Sequence, residues 1–236
     1  MACRKDASAV VEGREHYSTD VLADKAIEFI RASAKEGKPF FVHLAVKAPH
    51  GPFESPERYQ ADLDKVEYTE EAMKRLATCP LFEWKDRPRS FLEEDVTDKP
   101  EWVQGILGGI EAVKANKVRK KQLASVLATE DALVRIVAAL DELRIAGDTI
   151  LVYTGDNGYA WGEHGYIGKN CAYDECAMVP LVAFDPRRPG GGKTISALTM
   201  NADLAPTFVE LAGAKMQDKV DGQSMAALLG GDASAW

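Results

Sequence analysis

The sequence predicts an α/β fold, with helices on the faces of a parallel or mixed sheet. Helix-periodic segments alternate with short β-branched apolar runs, and two of these runs end directly in polar loops, APHGP and GDNG. In sheets of this kind, ligands bind beyond the carboxyl ends of the strands. These two loops are therefore the first places to look for chemistry.

The first helix and strand lie in the first fifty residues. Ser18 to Gly37 is predicted as a helix, with Ser18 or Thr19 at its N-cap and Gly37 at its end. Its predicted apolar face consists of Leu22, Ala26, Phe29 and Ile30. The run PFFVHLAV that follows predicts a buried strand, which would make His43 a core histidine.

The middle of the chain is predicted to contain an irregular segment followed by a long helix. Residues 60–114 contain scattered prolines and the Gly-rich stretch ILGGI, and we predict an irregular excursion there. A helix is predicted from about Lys117 to Ile145, ended by Gly147 and Asp148. Its predicted apolar stripe is Leu123, Val126, Leu127, Leu133, Val134, Val137 and Leu140.

Two more strands and a helix complete the pattern. TILVYT and VPLVAF are predicted as buried strands, the first ending in GDNGYAWGEHGYIGKN. NADLAPTFVELAG predicts a short helix, with Asn201 or Asp203 as its cap and Gly213 at its end. No internal repeat is apparent from the sequence.

Composition and charge exclude several classes of protein. The 236 residues are 46% hydrophobic and carry a net charge of −8, which fits a globular chain and argues against binding to nucleic acid or to an anionic membrane. No run approaches the ~18 apolar residues of a membrane span. The first twenty residues lack the apolar core of a secretory signal, so the sequence as written predicts a cytoplasmic protein.

The four cysteines predict no metal site. Cys3, Cys79, Cys171 and Cys176 show no paired metal-ligand spacing, and we expect scattered reduced thiols.

Asp156 and Asn157 form the first candidate metal site. They follow a predicted strand, where a carboxylate and a carboxamide can both direct oxygen at one cation. Oxygen donors select hard cations such as Ca²⁺ or Mg²⁺ over zinc. The alternative is structural, because Asp-Asn-Gly is also a common turn sequence.

Three basic side chains are candidates for binding or catalysis. His50 lies between two prolines in the other strand-end loop, where a restrained imidazole suits proton donation or anion binding. Lys169 could bring an ammonium to an anionic substrate, and His164 could either bind substrate or pack the loop. Taken singly, His50 and Lys169 are also compatible with ordinary surface positions, and His164 with packing of its loop.

In combination these residues resemble a known family. The run TGDNGYAWGEHG, then Gly168-Lys169, Tyr173-Asp174-Glu175 and Val179-Pro180-Leu181, closely resembles the S-D-N-G-x-x-x-G-E-H-G … K … Y-E-E … V-P-L segment of sulfatases. Segments on either side, from YSTDVLADKAIEFI to DGQSMAALL, are similar in the same order, so that the resemblance covers residues 16–230. RPRSFLEEDVTDKPEWV is also similar to bacterial arylsulfatases related to N-acetylglucosamine-6-sulfatase.

The resemblance implies an alkaline-phosphatase-like fold and hydrolysis of sulfate esters, with sulfated sugars as substrates, at a calcium site. Asp156 and Asn157 would be metal ligands, with Ca²⁺ preferred to Mg²⁺. His50 would bind the sulfate or protonate the leaving oxygen, Lys169 would neutralise sulfate charge, and His164 would lie on the substrate side. Sulfatases are commonly periplasmic, secreted or lysosomal, which leaves localisation open.

The chain departs from the family pattern at the nucleophile. The family converts a cysteine or serine in C/S-x-P/A-S/T-R to formylglycine, and none of the four cysteines lies in that motif. The paired aspartates and the G-K-x-H segment of the family are also missing. The sequence therefore reads as the C-terminal half of one catalytic domain spanning 1–236, incomplete at its N-terminus and inactive alone. It could be a fragment, an engineered truncation or part of a split enzyme, completed by an N-terminal half or assembled as a homo-oligomer.

Two other functions remain open. One is phosphate or phosphonate monoester hydrolysis within the same superfamily, although Asn157 disfavours the zinc phosphatases, which place a histidine beside this aspartate. The other is a non-catalytic module that binds anions or supports assembly. The basic stretch Lys114, Lys117, Arg119, Lys120 and Lys121 is predicted to be a solvated helix start rather than a polysaccharide site.

Overall fold

The chain forms short strands and two long helices. A computed structural model describes residues 8–11, 14–62, 65, 67–77, 79, 85–105, 112–188, 192–232 and 236. The strands are β1 (Ser8–Val11), β2 (Arg14–Tyr17), β3 (Gln60–Asp62), β4 (Glu67–Tyr68), β5 (Leu151–Thr154), β6 (Ala160–Trp161), β7 (Ile167–Gly168) and β8 (Leu181–Phe184). The α-helices are α1 (Ser18–Lys35), α2 (Glu70–Leu76), α3 (Glu101–Gln104), α4 (Ala112–Glu142), α5 (Asp174–Ala177), α6 (Leu204–Leu211) and α7 (Ala226–Leu229).

These elements divide into two compact units. Unit 1 comprises Met1–Arg144 and Gly158–Ala177, and unit 2 comprises Ile145–Asn157 and Met178–Trp236. Whether both units belong to one catalytic domain stays a prediction. No helix among the described residues is long and apolar enough to cross a membrane.

The centre of unit 1 is the packing of α1 against α4. Alanines are buried on both helices, which lets the two backbones approach closely. Buried residues are Ala23, Ala26, Ile27 and Ile30 on α1, and Ala132, Ala139 and Leu140 among those on α4. Arg31 pairs with Glu142 at 2.9 Å between Nη2 and Oε2, and Arg135 pairs with Asp24, so ion pairs connect the exposed rims of the two helices.

The predicted helices are confirmed, and their apolar faces are confirmed in part, because Ala26, Ile30, Leu127 and Leu140 are buried as predicted. In α1, Leu22 and Phe29 are exposed, and in α4, Leu133, Val134 and Val137 are exposed, with Val134 at 62%. Small residues such as Ala23 and Ala139 are buried together with larger ones such as Ile27, so size alone does not identify the buried face. Arg119, assigned to a solvated basic stretch, is only 1% exposed, and burial lowers the pKa of its guanidinium.

The ends of α1 show one correction and one confirmation. The N-cap residue is Tyr17, not Ser18 or Thr19, and no side chain caps this end. At the other end Gly37 has φ +65°, its N–H donates to Ala34 O, and Lys38 N–H donates to Ser33 O. This Schellman geometry needs a residue that tolerates the left-handed region, which explains the glycine.

The predicted strand at PFFVHLAV is wrong for the described structure. Residues 38–47 form no strand, Phe41 is 66% exposed, and His43 is exposed rather than in a core. Half-buried and exposed side chains alternate from Val42 to Val46, which is the pattern of extended backbone outside a sheet.

The other two predicted strands exist but do not form the predicted parallel or mixed sheet. β5 and β8 pair antiparallel, with Leu151 opposite Phe184 and Tyr153 opposite Val182. All sheets among the described residues are two-stranded and antiparallel. The segment between β5 and β8 contains a hairpin and one helical turn instead of a long crossover helix, so it returns the chain in the opposite direction.

One face of this ribbon packs within unit 2 and the other is bare. Val152 and Ala183 line a small apolar cavity of about 20 Å³ together with residues of α6 and α7. On the opposite face Val182 is 61% and Phe184 is 53% exposed. The prediction that these strands are buried is therefore wrong, because every residue of β8 is exposed and β5 is at most half-buried.

The predicted excursion is partly regular. It contains the β3–β4 hairpin, α2, which Thr69 caps by accepting the Ala72 N–H, and the short helix α3. The stretch ILGGI lies outside the described residues. The short helix near the C-terminal end is confirmed as a 3₁₀ turn, Asn201–Asp203, followed by α6, and Gly213 ends it with φ +69°.

Candidate functional site

The loop that carries His50 is closed by hydrogen bonds and an ion pair. His50 N–H donates to Lys47 O at 2.7 Å, and the Lys47 Nζ lies 3.4 Å from Glu54 Oε2. The imidazole is exposed, and its Nδ1 lies 2.9 Å from Gly51 O. In the tautomer whose Nδ1–H donates to this carbonyl, Nε2 keeps the lone pair for a ligand or a proton.

An aromatic contact connects this loop to the segment that contains the GEHG motif. Phe53 lies edge-on to Tyr159, with ring centroids 6.1 Å apart and an interplanar angle of 88°. The His50 loop therefore borders the start of the segment that leads to His164 and Lys169.

The GEHG motif forms the turn of the β6–β7 hairpin. Gly162 has φ +120°, and a Cβ there would lie 2.8 Å from the Phe91 ring, so the glycine is required for this packing. Glu163 is buried, and its carboxylate accepts the Trp161 N–H. Burial raises the pKa of the Glu163 carboxyl. The first two residues of the motif therefore serve packing of the turn.

His164, the third residue of the motif, is surrounded by polar and aromatic partners. Its Nδ1 lies 3.2 Å from Glu93 Oε2, and its Nε2 lies 3.5 Å from Glu175 Oε2. The ring stacks on Tyr173, with centroids 3.9 Å apart and planes 20° from parallel. The backbone of His164 has φ +53°, and its N–H donates to Ser90 O.

Lys169 directly follows β7 and is half-buried. The preceding Gly168 has φ +148°, and a Cβ there would lie 2.8 Å from Tyr166 Oη. The backbone immediately before Lys169 thus has a conformation that only glycine adopts easily.

The segment after Lys169 is closed by a disulfide bond. Cys171 and Cys176 are bonded, with their Cα atoms 5.8 Å apart, because the chain turns into α5 between them. The prediction of reduced thiols is therefore wrong for this pair. Cys79 is a free, half-buried thiol, and Cys3 lies outside the described residues.

Asp156 and Asn157 lie at the carboxyl end of β5 in unit 2. Asp156 is exposed, and its Oδ1 accepts the Asn157 N–H at 2.9 Å. Asn201, which belongs to a different element, donates hydrogen bonds to the backbone of this loop. Its Nδ2 lies 3.1 Å from Gly155 O and 3.3 Å from Asp156 O. The carboxylate is thus presented on a backbone that a side chain from another element restrains.

A hard cation fits this position in donor type but not in donor number. The exposed carboxylate and neighbouring carboxamide can supply two oxygens, whereas Ca²⁺ takes 6–8. The described part of the chain contains no group of three or more His, Cys, Asp or Glu side chains arranged to hold a metal.

The structure distributes the predicted residues between the two units. His50, His164 and Lys169 belong to unit 1, and Asp156 and Asn157 belong to unit 2. Their functional roles stay predictions.

Three residues around these positions were not singled out from the sequence. Asn201 was considered only as a helix cap, and Glu93 and Glu175 were given no role. Glu93 and Glu175 do lie within segments that carry the sulfatase resemblance, RPRSFLEEDVTDKPEWV and Tyr173-Asp174-Glu175, which is the signal that could have found them.

Comparison with known proteins gives matches over nearly the whole chain. The family model described as Sulfatase matches residues 3–214. An N-acetylglucosamine-6-O-sulfatase of Bacteroides thetaiotaomicron is 28% identical over 95% of this chain and 48% of the relative. The chain therefore spans about half the length of this curated relative.

Two solved structures share the fold. The structure of BT4656 in complex with its substrate D-glucosamine-2-N,6-O-disulfate matches with a TM-score of 0.65 and 27% identity, over 95% of this chain and 56% of that one. A phosphonate monoester hydrolase from Silicibacter pomeroyi matches with a TM-score of 0.67 and 25% identity, over 92% of this chain and 42% of that one. These likenesses support the predicted alkaline-phosphatase-like fold, although the described sheets are small.

Proposed function

This chain belongs to the sulfatase family, and we propose that it forms part of a hydrolase that cleaves sulfate esters of sulfated sugars. The family match over residues 3–214 is the observation that carries this proposal. The choice of a sugar is supported by similarity to an N-acetylglucosamine-6-O-sulfatase and to a structure that holds a disulfated glucosamine.

We propose that Asp156 and Asn157 supply two of the oxygen ligands of a Ca²⁺ ion, with Mg²⁺ as the second choice. The exposure of Asp156 and the two hydrogen bonds from Asn201 to the loop carbonyls support this assignment. A bound cation would neutralise negative charge on a sulfate oxygen. The remaining ligands would come from groups other than these two.

His50 and Lys169 are proposed to act on the sulfate group. The Lys169 ammonium offsets the negative charge that the sulfate oxygens carry in the transition state. When its Nε2 is also protonated, His50 donates a hydrogen bond to a sulfate oxygen or gives this proton to the leaving oxygen. His164 already has a carboxylate at each ring nitrogen, which favours a role in holding the loop over direct contact with sulfate.

We propose that these 236 residues alone do not turn over substrate. None of the four cysteines lies in the C/S-x-P/A-S/T-R motif in which the family forms its formylglycine nucleophile. The chain would then bind the sulfate ester without cleaving it, and cleavage would require a nucleophile from another polypeptide segment.

Binding of N-acetylglucosamine 6-sulfate in the presence of Ca²⁺ tests this function by isothermal titration calorimetry. Loss of a charged hydrogen-bond donor to sulfate should weaken binding about tenfold or more in His50→Ala and Lys169→Ala. The matched controls, His43→Ala and Lys193→Ala, replace exposed residues of the same types and should bind as wild type. Equal affinity in all four variants would show that His50 and Lys169 do not bind the sulfate group.

Phosphonate monoester hydrolysis is the second candidate function, favoured by the Silicibacter pomeroyi likeness. Competition between phenyl sulfate and a phenyl phosphonate monoester for the same site discriminates the two functions. The sulfatase proposal expects the sulfate ester to bind more tightly, and the reverse order would favour the phosphonate reaction.

A further inference from the structure

Lys169 lies on a loop, residues 165–170 with the two-residue strand β7 inside it, that is anchored at both ends. In the sequence His164 precedes this loop, and the disulfide ring closed by Cys171 and Cys176 follows it. Tyr173 and Glu175 belong to that ring, and both contact the His164 imidazole. The two ends of the loop are thus held to each other through one side chain.

His164 makes more side-chain contacts than its position in a hairpin turn requires. A non-glycine residue at φ +53° is strained by about 1 kcal/mol or more, so other interactions must hold it there. Each ring nitrogen faces a carboxylate oxygen, one face of the ring is covered by Tyr173, and the backbone N–H is bound to Ser90 O.

The partners of His164 come from a remote part of unit 1 and are themselves held. Glu93 lies 71 positions away in the sequence and also pairs with Lys99, whose Nζ is 3.2 Å from Glu93 Oε2. Glu175 Oε1 accepts a hydrogen bond from Ser90 Oγ at 3.4 Å. The segment 90–99 therefore contacts the His164 ring through Glu93 and contacts Glu175 through Ser90.

We propose that His164 is a positioning residue that fixes the loop 165–170 and thereby the place of the Lys169 ammonium. The proposal rests on the proposed function only in the role that it gives to Lys169. The order of the loop itself can be measured independently of any ligand.

Hydrogen–deuterium exchange of peptides from 165–170 tests the proposal directly. His164→Ala should speed exchange in this loop about tenfold, while α6 in unit 2 exchanges as in wild type. His164→Asn keeps a donor near the position of Nδ1 and tolerates positive φ, but it loses the Tyr173 stack and the Glu175 contact, so it should restore only part of the protection. His43→Ala, an exposed histidine in the same unit, is the matched control and should change nothing.

Two results would overturn the inference. One is unchanged exchange at 165–170 in His164→Ala, and the other is an equal increase throughout unit 1, which means general destabilisation. If His164→Ala does not fold, Glu175→Gln, which removes the charge facing Nε2, takes its place and should speed loop exchange by a smaller factor.

Binding of inorganic sulfate separates this inference from the proposed function. His164→Ala should weaken sulfate binding several-fold and His164→Asn should recover part of it, whereas Lys169→Ala should weaken it about tenfold or more. If Lys169→Ala binds sulfate as wild type does, the role of Lys169 fails, and the exchange data still decide whether His164 orders the loop.

Discussion

Asn201 connects two parts of unit 2 through a single carboxamide. Its Nδ2 lies within hydrogen-bond distance of Gly155 O and Asp156 O, the backbone on either side of the proposed ligand Asp156. A ligand pair contributes most to binding when its backbone is already fixed. The hydrogen bonds from Asn201 therefore order the backbone of the proposed cation position before any ion binds.

Replacing Asn201 should loosen the loop without unfolding the unit. Both Asn201→Ala and Asn201→Asp lose the donor, and two solvent-exposed hydrogen bonds contribute about 1 kcal/mol in total. Amide exchange at 155–158 should therefore rise several-fold, as measured by NMR. Asn170→Ala, an exposed asparagine in the other unit, is the control. Unchanged exchange in both Asn201 variants would contradict the role given to this residue.

The buried carboxyl of Glu163 makes unit 1 sensitive to pH. Burial raises its pKa above the ordinary value of 4.5, so the folded state retains the proton to a higher pH than the unfolded state. Stability should then fall as pH rises from about 4.5 through the folded pKa, and should be insensitive to Glu163 above that point.

Glu163→Gln should remove this dependence. The glutamine keeps an oxygen that can accept the Trp161 N–H and does not titrate. Between pH 4.5 and pH 7, the variant should gain stability relative to wild type, measured as the difference in urea midpoints. Parallel changes in the two proteins would show that the carboxyl does not titrate in this window.

At the scale of elements, the packing of α1 and α4 buries alanines together with larger residues such as Ile30 and Leu140. The sequence pattern selected large apolar residues such as Phe29 and Val134, because hydrophobic periodicity weights size and apolarity. The structure instead buries Ala23 and Ala139 between the helices and leaves Phe29 and Val134 exposed. Helix existence and extent follow from local pattern, but the buried face depends on the distance of the neighbouring helix.

Two truncations in α4 measure this difference. Leu140→Ala removes a buried side chain and should destabilise unit 1 by about 2–5 kcal/mol, whereas Val134→Ala should change the free energy of unfolding by less than about 0.5 kcal/mol. Both values come from denaturant melts followed by circular dichroism. Similar losses in the two variants would contradict the assignment of the buried face.

The candidate site was predictable only in part from local sequence. The strand-end position of Asp156 and Asn157 follows from an apolar run that stops at a polar turn, and the structure confirms that β5 ends there. The contact between His164 and Glu93 spans 71 positions, and the bond between Cys171 and Cys176 depends on the helical turn between them. Such contacts depend on tertiary folding, which local periodicity does not encode.

At the scale of the whole molecule, unit 2 exposes an apolar sheet face. Tyr153 lies opposite Val182, and Leu151 lies opposite Phe184, on the side of the β5–β8 ribbon that faces away from the small cavity. Both outer edges of the ribbon are unpaired among the described strands. Bare apolar faces and open edges favour association, with further strands or with another copy.

The purified chain should therefore bind a hydrophobic dye and self-associate with rising concentration. Replacing Val182 and Phe184 together by lysine should lower the fluorescence of bound 1-anilinonaphthalene-8-sulfonate about twofold and shift sedimentation toward monomer. Val113→Lys and Val134→Lys together introduce the same charge at exposed positions in unit 1 and are the control. A wild-type monomer with no dye binding and one sharp cooperative melt would contradict this account.

Charge at the same scale limits how the protein can hold an anion. With a net charge of −8, the chain repels a sulfate ester on average, so binding must depend on local positive groups. Lys169, His50 and a cation at Asp156 and Asn157 are the proposed groups.

The central claim is tested most directly by calorimetric titration of the wild-type chain, in the presence of Ca²⁺, with N-acetylglucosamine 6-sulfate and with unsulfated N-acetylglucosamine. The sulfated sugar should bind, removal of Ca²⁺ should weaken this binding, and the unsulfated sugar should give no saturable heat. Equal binding of the two sugars, or no binding of the sulfated sugar with or without Ca²⁺, would contradict the claim that this chain carries the sulfate-binding groups of a sulfatase.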